Sequence, residues 1–122
     1  MKASIRKFDA GKEYYFAEGC FITELSNSCD DPELSIARAR LEPGKTTRWH
    51  RLHETSERYV IIEGAGFVEI DDLPPEEVNP GDVVIIPPES RQRIRNTSSG
   101  DLVFLALCSP RFSEDVYEGL DD

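Results

Sequence analysis

Long hydrophobic runs are absent from this 122-residue sequence. No stretch approaches the ~20 apolar residues that span a bilayer, and residues 1–9 contain no apolar segment of signal-peptide length. We therefore expect a cytoplasmic protein that has no membrane partner.

Basic residues are also scarce. The chain has 14 Lys and Arg residues against 24 Asp and Glu residues, which gives a formal net charge of -10. Proteins bind nucleic-acid phosphates through clustered Lys and Arg side chains, so this balance argues against a nucleic-acid partner. It argues equally against binding to an anionic membrane surface.

Cysteine occurs only at Cys20, Cys29 and Cys108, an odd number without close spacing. This pattern fits reduced thiols better than a disulfide framework or a zinc cluster. The sequence also lacks a Gly-x-Ser-x-Gly motif, a phosphate-binding glycine loop that ends in Lys-Ser or Lys-Thr, and a Cys-x-x-Cys pair. The usual signatures of serine hydrolases, P-loop enzymes and thiol oxidoreductases are thus missing.

What the chain does contain, from residue 19 onward, is a series of short strand-like runs broken by Gly, Pro, Asn and Asp. This spacing predicts an all-β barrel or sandwich. The whole chain is expected to be one domain, with a barrel core at about 19–110, an N-terminal arm at 1–18 and an acidic C-terminal tail at 111–122, which is either a short helix or an ordered strap. We predict strands near residues 20–26, 34–41, 47–52, 57–63, 66–71, 76–78, 82–86, 91–96 and 102–109.

Two segments, residues 44–64 and 81–96, resemble the two sequence motifs of the cupin superfamily. The positions in register are Gly44, His50, Glu57 and Gly64 in the first motif and Gly81, Pro87 and Asn96 in the second. The chain is therefore similar to small single-domain type-2 cupins. The resemblance implies a double-stranded β-helix, a jelly-roll-like barrel that binds a divalent metal or a small ligand inside and usually forms a homodimer.

The departures from the motifs fall on metal-binding positions. Leu52 stands where the family has its second histidine, and Gln92 stands where it has its third. The resemblance implies metal ligands at His50, Glu57 and Gln92, with His53 as a further ligand if a β-bulge turns it inward. Such a ligand set, mostly oxygen, would favour manganese or iron, with nickel and zinc as the other divalent candidates.

The alternation of side chains along strands predicts the same convergence without a metal. A period of two residues places Arg48, His50 and Leu52 on one face of their strand, and Glu57 and Tyr59 on one face of the next. His50 would then be a buried histidine that hydrogen-bonds Glu57, with Gln92 completing a polar network. The metal-bound and metal-free hypotheses both stay open.

Four further residues are candidates for the lining of a ligand pocket. Tyr59 and Trp49 would stack on a ligand, although aromatic residues in strands commonly serve packing. Arg38 and Arg40 share one face of the strand at 34–41. If that face looks inward, their guanidinium groups would bind a carboxylate or phosphate, and if it looks outward they offset surface acids.

Together with the composition, the resemblance implies a small cytoplasmic cupin that binds a divalent metal, a small polar and acidic ligand, or both, inside the barrel. One alternative is a metal-free module that binds or senses a small molecule. Another is a metal-dependent oxygenase, decarboxylase or isomerase. A third is a homodimeric scaffold whose outer residues, such as Val60 and Ile62, bind a partner. The choice between enzyme and binding protein stays open at this level.

Overall fold

The computed structural model describes residues 1–120, and these residues form eleven β-strands and two single-turn 3-10 helices, Ala10–Lys12 and Glu114–Val116. The predicted all-β class is confirmed, and each of the nine predicted strands is found within a few residues of its expected place. Within the described chain, no helix is long and apolar enough to cross a membrane. The strands are β1 Tyr14–Phe16, β2 Cys20–Ser26, β3 Ser35–Leu41, β4 His50–Leu52, β5 Ser56–Glu63, β6 Gly66–Ile70, β7 Glu76–Val78, β8 Val83–Ile86, β9 Gln92–Asn96, β10 Leu102–Ser109 and β11 Tyr117–Gly119.

The strands form two antiparallel sheets. One sheet has the order β1-β2-β3-β10-β5-β8, and the other has the order β11-β4-β9-β6-β7. Strands that are distant in sequence lie side by side, since β10 pairs with both β3 and β5 and β9 pairs with both β4 and β6. The chain thus winds back and forth between the sheets as a double-stranded β-helix, which is the fold that the cupin resemblance implies.

The hydrophobic core lies between the inner faces of the two sheets. Along β5, Tyr59 and Ile61 are buried whereas Ile62 is half exposed, and along β9, Ile94 is buried whereas Arg95 is exposed. This alternation follows from the two-residue period of a strand. Removing these apolar side chains from water is the main favourable term in folding.

Strand β3 has its arginines on the outer face of the barrel. Ala39 is buried, while Arg38 and Arg40 are only half-buried. The guanidinium of Arg40 donates hydrogen bonds of 2.7 and 3.0 Å to the carboxylate of Glu13, and Arg38 lies 3.6 Å from the same carboxylate. Of the two orientations left open by the sequence, the outward one is observed, so these arginines form surface ion pairs rather than a grip for an acidic ligand.

Strand β4 is shorter than the predicted strand at 47–52. The backbone N–H of Arg48 donates to the carbonyl of Glu18 at 2.6 Å, and the Arg48 residue is exposed. His50 and Leu52 are buried as predicted. The prediction that Arg48 shares their inward face is wrong, because regular alternation begins only at His50.

Two strands lie outside the predicted barrel strands. β1 belongs to the predicted N-terminal arm and pairs with β2, whereas β11 pairs with β4. Residues 111–120, here named the C-terminal strap, therefore form an ordered strap along the second sheet. Asp121 and Asp122, the last part of the predicted acidic tail, lie outside the described residues.

Two motif residues have structural roles in the fold. Gly64 has a φ of +83°, and a Cβ atom there would lie 2.6 Å from the carbonyl oxygen of Asp101, so only glycine fits without strain. The buried amide of Asn96 donates to the carbonyls of Leu41 and Gly100, both at 2.8 Å. Both residues fix turns that close the barrel, and neither reaches the candidate site.

Candidate functional site

His50, the first residue of β4, is 2% exposed and lies at the centre of the candidate site. Its Nδ1 is 2.6 Å from the carbonyl oxygen of Arg48, and its Nε2 is 3.0 Å from Oε2 of Glu18. The imidazole also stacks on the ring of Tyr117, with centroids 5.4 Å apart and planes inclined by 25°. Both ring nitrogens are therefore bonded within the protein.

The hydrogen bonds of His50 define its charge. A carbonyl oxygen only accepts hydrogen bonds, so Nδ1 carries a proton, and a second proton on Nε2 faces the Glu18 carboxylate. Burial alone would lower the pKa of His50, but the charge and hydrogen bond of Glu18, together with the Arg48 carbonyl, raise it to about 9. Burial opposes ionisation of Glu18 as well, yet His50 holds the Glu18 pKa below its ordinary value. The two residues form a buried ion pair.

Glu57 on β5 is a second buried carboxyl group, with 8% of the residue exposed. Its Oε1 accepts a hydrogen bond of 2.8 Å from Nε2 of Gln92, and its Oε2 accepts a weaker one of 3.7 Å from the thiol of Cys108. Burial, assisted by the negative charge of Glu18, raises the pKa of Glu57 to about 7. The carboxyl group is thus close to half protonated near neutral pH.

Gln92 and Tyr59 continue this network away from the ion pair. Gln92 lies directly opposite His50 in the pairing of β9 with β4, and its amide oxygen accepts the hydroxyl proton of Tyr59. The Tyr59 ring packs against Phe104, with centroids 4.4 Å apart. The predicted convergence of His50, Glu57 and Gln92 is present, but the hydrogen-bond partner of His50 is Glu18 rather than Glu57.

A pocket of about 40 Å³ opens in front of His50 and Glu57. Apolar atoms of Ile22, Leu52 and Ala106 form part of its wall. The remaining walls come largely from the hairpin of β1 and β2 and from the C-terminal strap. The aromatic and acidic residues of the lining are Tyr14, Phe16, Phe112, Tyr117, Glu18, Glu24 and Glu57.

The other predicted site residues lie elsewhere. His53 is half exposed in the turn after β4, where its ring nitrogens lie 2.7 Å from Glu89 and 2.8 Å from Glu118. Trp49 lies outside the barrel beneath the guanidinium groups of Arg91 and Arg93. The centroid of its ring is 4.8 Å from Cζ of Arg91 and 4.5 Å from Cζ of Arg93. Gln92 and Tyr59 stand behind the pocket wall, and Arg38 and Arg40 are on the outer face of β3. His50 and Glu57 are the predicted site residues that line the pocket.

Two residues of the site escaped sequence reasoning. Glu18 lies in the turn between β1 and β2, and Tyr117 begins β11, so both come from segments assigned to an arm and a tail. The available signal was general, since a buried charged histidine requires a counter-charge. With 24 acidic residues in the chain, this rule does not select one of them.

The residues at the cupin metal position do not fit a metal ion as they are arranged. Both nitrogens of His50 bear protons directed at protein oxygens, Leu52 is apolar and 4% exposed, and the amide oxygen of Gln92 accepts from Tyr59. Among residues 1–120, no group of three or more His, Cys, Asp and Glu side chains is placed to hold a metal. A metal would require deprotonation of His50 and a break in the network.

Comparison with known proteins gives matches over most of the chain. The model of the cupin domain family matches residues 37–108. The uncharacterized protein MJ1618 of Methanocaldococcus jannaschii is 31% identical over 123 aligned residues, which cover 99% of this chain and 98% of that protein.

Solved structures give the same result at the level of the fold. KdgF from Halomonas sp. has a TM-score of 0.80 at 17% identity, with 93% of this chain and 99% of that chain covered. Pac13 of Streptomyces, a nucleoside dehydratase, has a TM-score of 0.76 at 18% identity, with 96% and 92% covered. At these identities the likeness extends to the fold alone.

Proposed function

The chain belongs to the cupin family, and from that premise we propose that it binds a small molecule without a metal ion. The observation that carries this proposal is the His50–Glu18 ion pair. It lies at the position of the family's first metal ligand, while a pocket remains open beside it. The polar groups of a cupin site are retained here, but they are arranged for hydrogen bonding and charge rather than for coordination.

The electrostatics of the pocket support a binding role. Charged groups in a cleft whose pKa values are shifted by burial and by each other are more frequent at functional sites than elsewhere. Here His50, Glu18 and Glu57 all show such shifts and all line one pocket. Apolar walls with a few convergent polar groups are also the usual composition of small-molecule sites.

Acid–base catalysis is a second candidate, favoured by the pKa of Glu57. A carboxyl group with a pKa of about 7 that faces a pocket is suited to both accept and donate a proton at neutral pH. Pac13 shares the fold and is a dehydratase, a class of enzyme that must move protons. The metal-dependent oxygenase, decarboxylase and isomerase hypotheses are less well supported, because the predicted ligands hydrogen-bond one another.

Metal ions and chelators are expected to leave thermal stability unchanged. With manganese, iron, nickel or zinc, or with chelator, the Tm should stay within about 1 °C, because no donor set is available to give the folded state extra affinity. In the presence of chelator, a true ligand at a free concentration of ten times its Kd should raise the free energy of unfolding by about 1.4 kcal/mol and the Tm by about 4 °C. Calorimetry and metal analysis of the purified protein test both statements. Metal near one ion per chain that raises the Tm on reconstitution would contradict the proposal.

The net charge and the free cysteines of the chain support proposals about its location and its partners. We propose a cytoplasmic location, which is supported by three free cysteines that include the exposed Cys29, because reduced thiols persist in reducing compartments. The net charge of -10 supports the absence of a nucleic-acid partner.

A homodimer is proposed through the outer face of β5 and β8. Ile62, Val83 and Ile85 are 50%, 56% and 64% exposed there, and contiguous exposed apolar surface commonly marks an interface. Light scattering should give twice the chain mass of 13.8 kDa. Ile85→Lys should produce monomers, whereas Ile5→Lys, at an exposed N-terminal position, should not. A monodisperse monomer for the unaltered protein would count against the dimer.

A further inference from the structure

The chemistry of the pocket indicates the charge of its ligand. Its lining combines four aromatic rings with three carboxyl groups, and among the described residues that line it there is no Lys or Arg. Aromatic rings attract cations through their quadrupole, and carboxylates attract them directly. Neither group favours an anion.

The single basic side chain in the lining is not available to an anion. Both N–H groups of His50 are directed at protein oxygens, and its positive charge is balanced by Glu18 at 3.0 Å. An acidic ligand would have to displace Glu18 and lie against Glu57. With the ion pair neutral overall, Glu57 and the exposed Glu24 carry the remaining charges of the lining, and Arg111, outside the lining, offsets part of the charge of Glu24.

A separate observation favours a ligand that carries a hydrogen-bonding group. The hydroxyl oxygen of Tyr117 is buried and has no hydrogen-bond partner among residues 1–120, and Tyr117 is part of the lining. A buried polar group without a partner costs about 1–3 kcal/mol. A ligand group that hydrogen-bonds this hydroxyl would remove that cost, and an ammonium, which has several N–H groups, can donate to its oxygen.

We propose that the pocket binds the ammonium or alkylammonium end of a small organic cation. The proposal rests on the proposed small-molecule function and specifies its ligand class. The volume of about 40 Å³ holds roughly three water molecules, so the charged end enters the pocket while the rest of the ligand lies at the mouth near Tyr14 and Glu24. The acidic ligand expected from Arg38 and Arg40 does not suit this pocket, since both arginines are on the outer face.

Three small probes with the same branched skeleton test the charge preference: isobutylammonium, isobutanol and isobutyrate. Each is titrated into the isotope-labelled full-length protein at pH 7.5, and amide shifts are followed by NMR. We expect the ammonium to bind at least about fivefold more tightly than the alcohol, as one partly screened charge contact would give, with shifts centred on Phe16, Leu52 and Tyr117. Isobutyrate should bind more weakly than both.

A matched pair of variants locates the effect. Glu24→Gln removes one charge at the mouth of the pocket. It should weaken the binding of isobutylammonium by about threefold to fivefold and leave the affinity for isobutanol unchanged. Glu77→Gln removes the same charge from exposed β7, at the far edge of the second sheet, and should change neither affinity. Both positions are exposed, so both variants should fold.

The outcomes separate the two proposals. If isobutanol or isobutyrate binds as tightly as the ammonium, the charge preference is overturned while the small-molecule function stands. Equal effects of Glu24→Gln on ammonium and alcohol would also overturn it. If none of the three probes shifts the amides around the pocket, the proposed function fails and the ligand class fails with it.

Discussion

Replacing Glu18 by Gln is expected to lower the free energy of unfolding by about 3 kcal/mol at pH 6, because it leaves a buried imidazolium without its counter-charge. His50 is 2% exposed and the Glu18 side chain 15% exposed, so water does little to compensate for the lost charge. Gln keeps the size and the hydrogen-bonding oxygen of Glu. The loss therefore measures the charge of the pair and not a cavity.

Urea denaturation followed by the fluorescence of Trp49 measures this loss. The matched control is Glu69→Gln, which breaks the ion pair of Glu69 with Arg93, where the atoms are also 3.0 Å apart but both side chains are 30% exposed. Ion pairs near the surface contribute about 1 kcal/mol or less. If the two variants lose the same stability, the His50–Glu18 pair is not the buried ion pair described above.

Stability is expected to fall by about 2 kcal/mol between pH 7 and pH 9, as His50 loses its proton. The pKa of His50 is about 9 in the folded protein against 6.5 ordinarily. A raised pKa means that the folded state holds the proton more tightly. The contribution of His50 is therefore complete below pH 6.5 and is lost as the pH rises through 9.

The two carboxyl groups of the site act at lower pH. The pKa of Glu57 is raised from 4.5 to about 7, so stability from this group falls as the pH rises from 4.5 to 7. The pKa of Glu18 is lowered, so its contribution is present above pH 4.5 and is lost below it. Glu18 is ionised above pH 7, and Glu57 completes its ionisation just above it. Burial raises the pKa values of Cys20 and Cys108, so these thiols lower stability as the pH approaches 9, and the interval from pH 7 to 8 reports mainly on His50.

Urea denaturation at pH 7, 8 and 9 tests this dependence in the unaltered protein and two variants. His50→Gln should abolish most of the slope between pH 7 and pH 8. His53→Gln, at the half-exposed histidine that bridges Glu89 and Glu118, should retain it, because exposed pairs are weakened by solvent. A slope that survives in His50→Gln would assign the titration to another group.

The strands and part of the site were predictable because their signals are local. Turn residues delimit the strands, and the two-residue period correctly places Glu57, Tyr59 and Gln92 on inward faces. The hydrogen bond of 2.8 Å between Gln92 and Glu57 shows that these faces meet. Local periodicity was sufficient in β5 and β9, where one face of the strand carries the apolar residues and the motif residues.

The rest of the site could not be predicted, because it depends on contacts between distant segments. Glu18 reaches His50 from a turn 32 positions earlier in the chain. Strand β3 has an ambiguous pattern, since alanines alternate with arginines and either face could be buried until the neighbouring strands are known. The strap carries no strand-like run, and the three residues of β11 are held by their pairing with β4.

The Tyr117 ring that covers His50 comes from a strand that is synthesised late, and this affects when the pocket can form. Among the described strands, β1 leaves the ribosome first and β11 last, so the central strands can pair while the nascent chain is still being extended. The pocket acquires its last wall only when β11 docks onto β4. The proposed pocket therefore depends on the last-made of the described strands, and cleavage ahead of residue 117 would leave His50 without the Tyr117 ring that covers it.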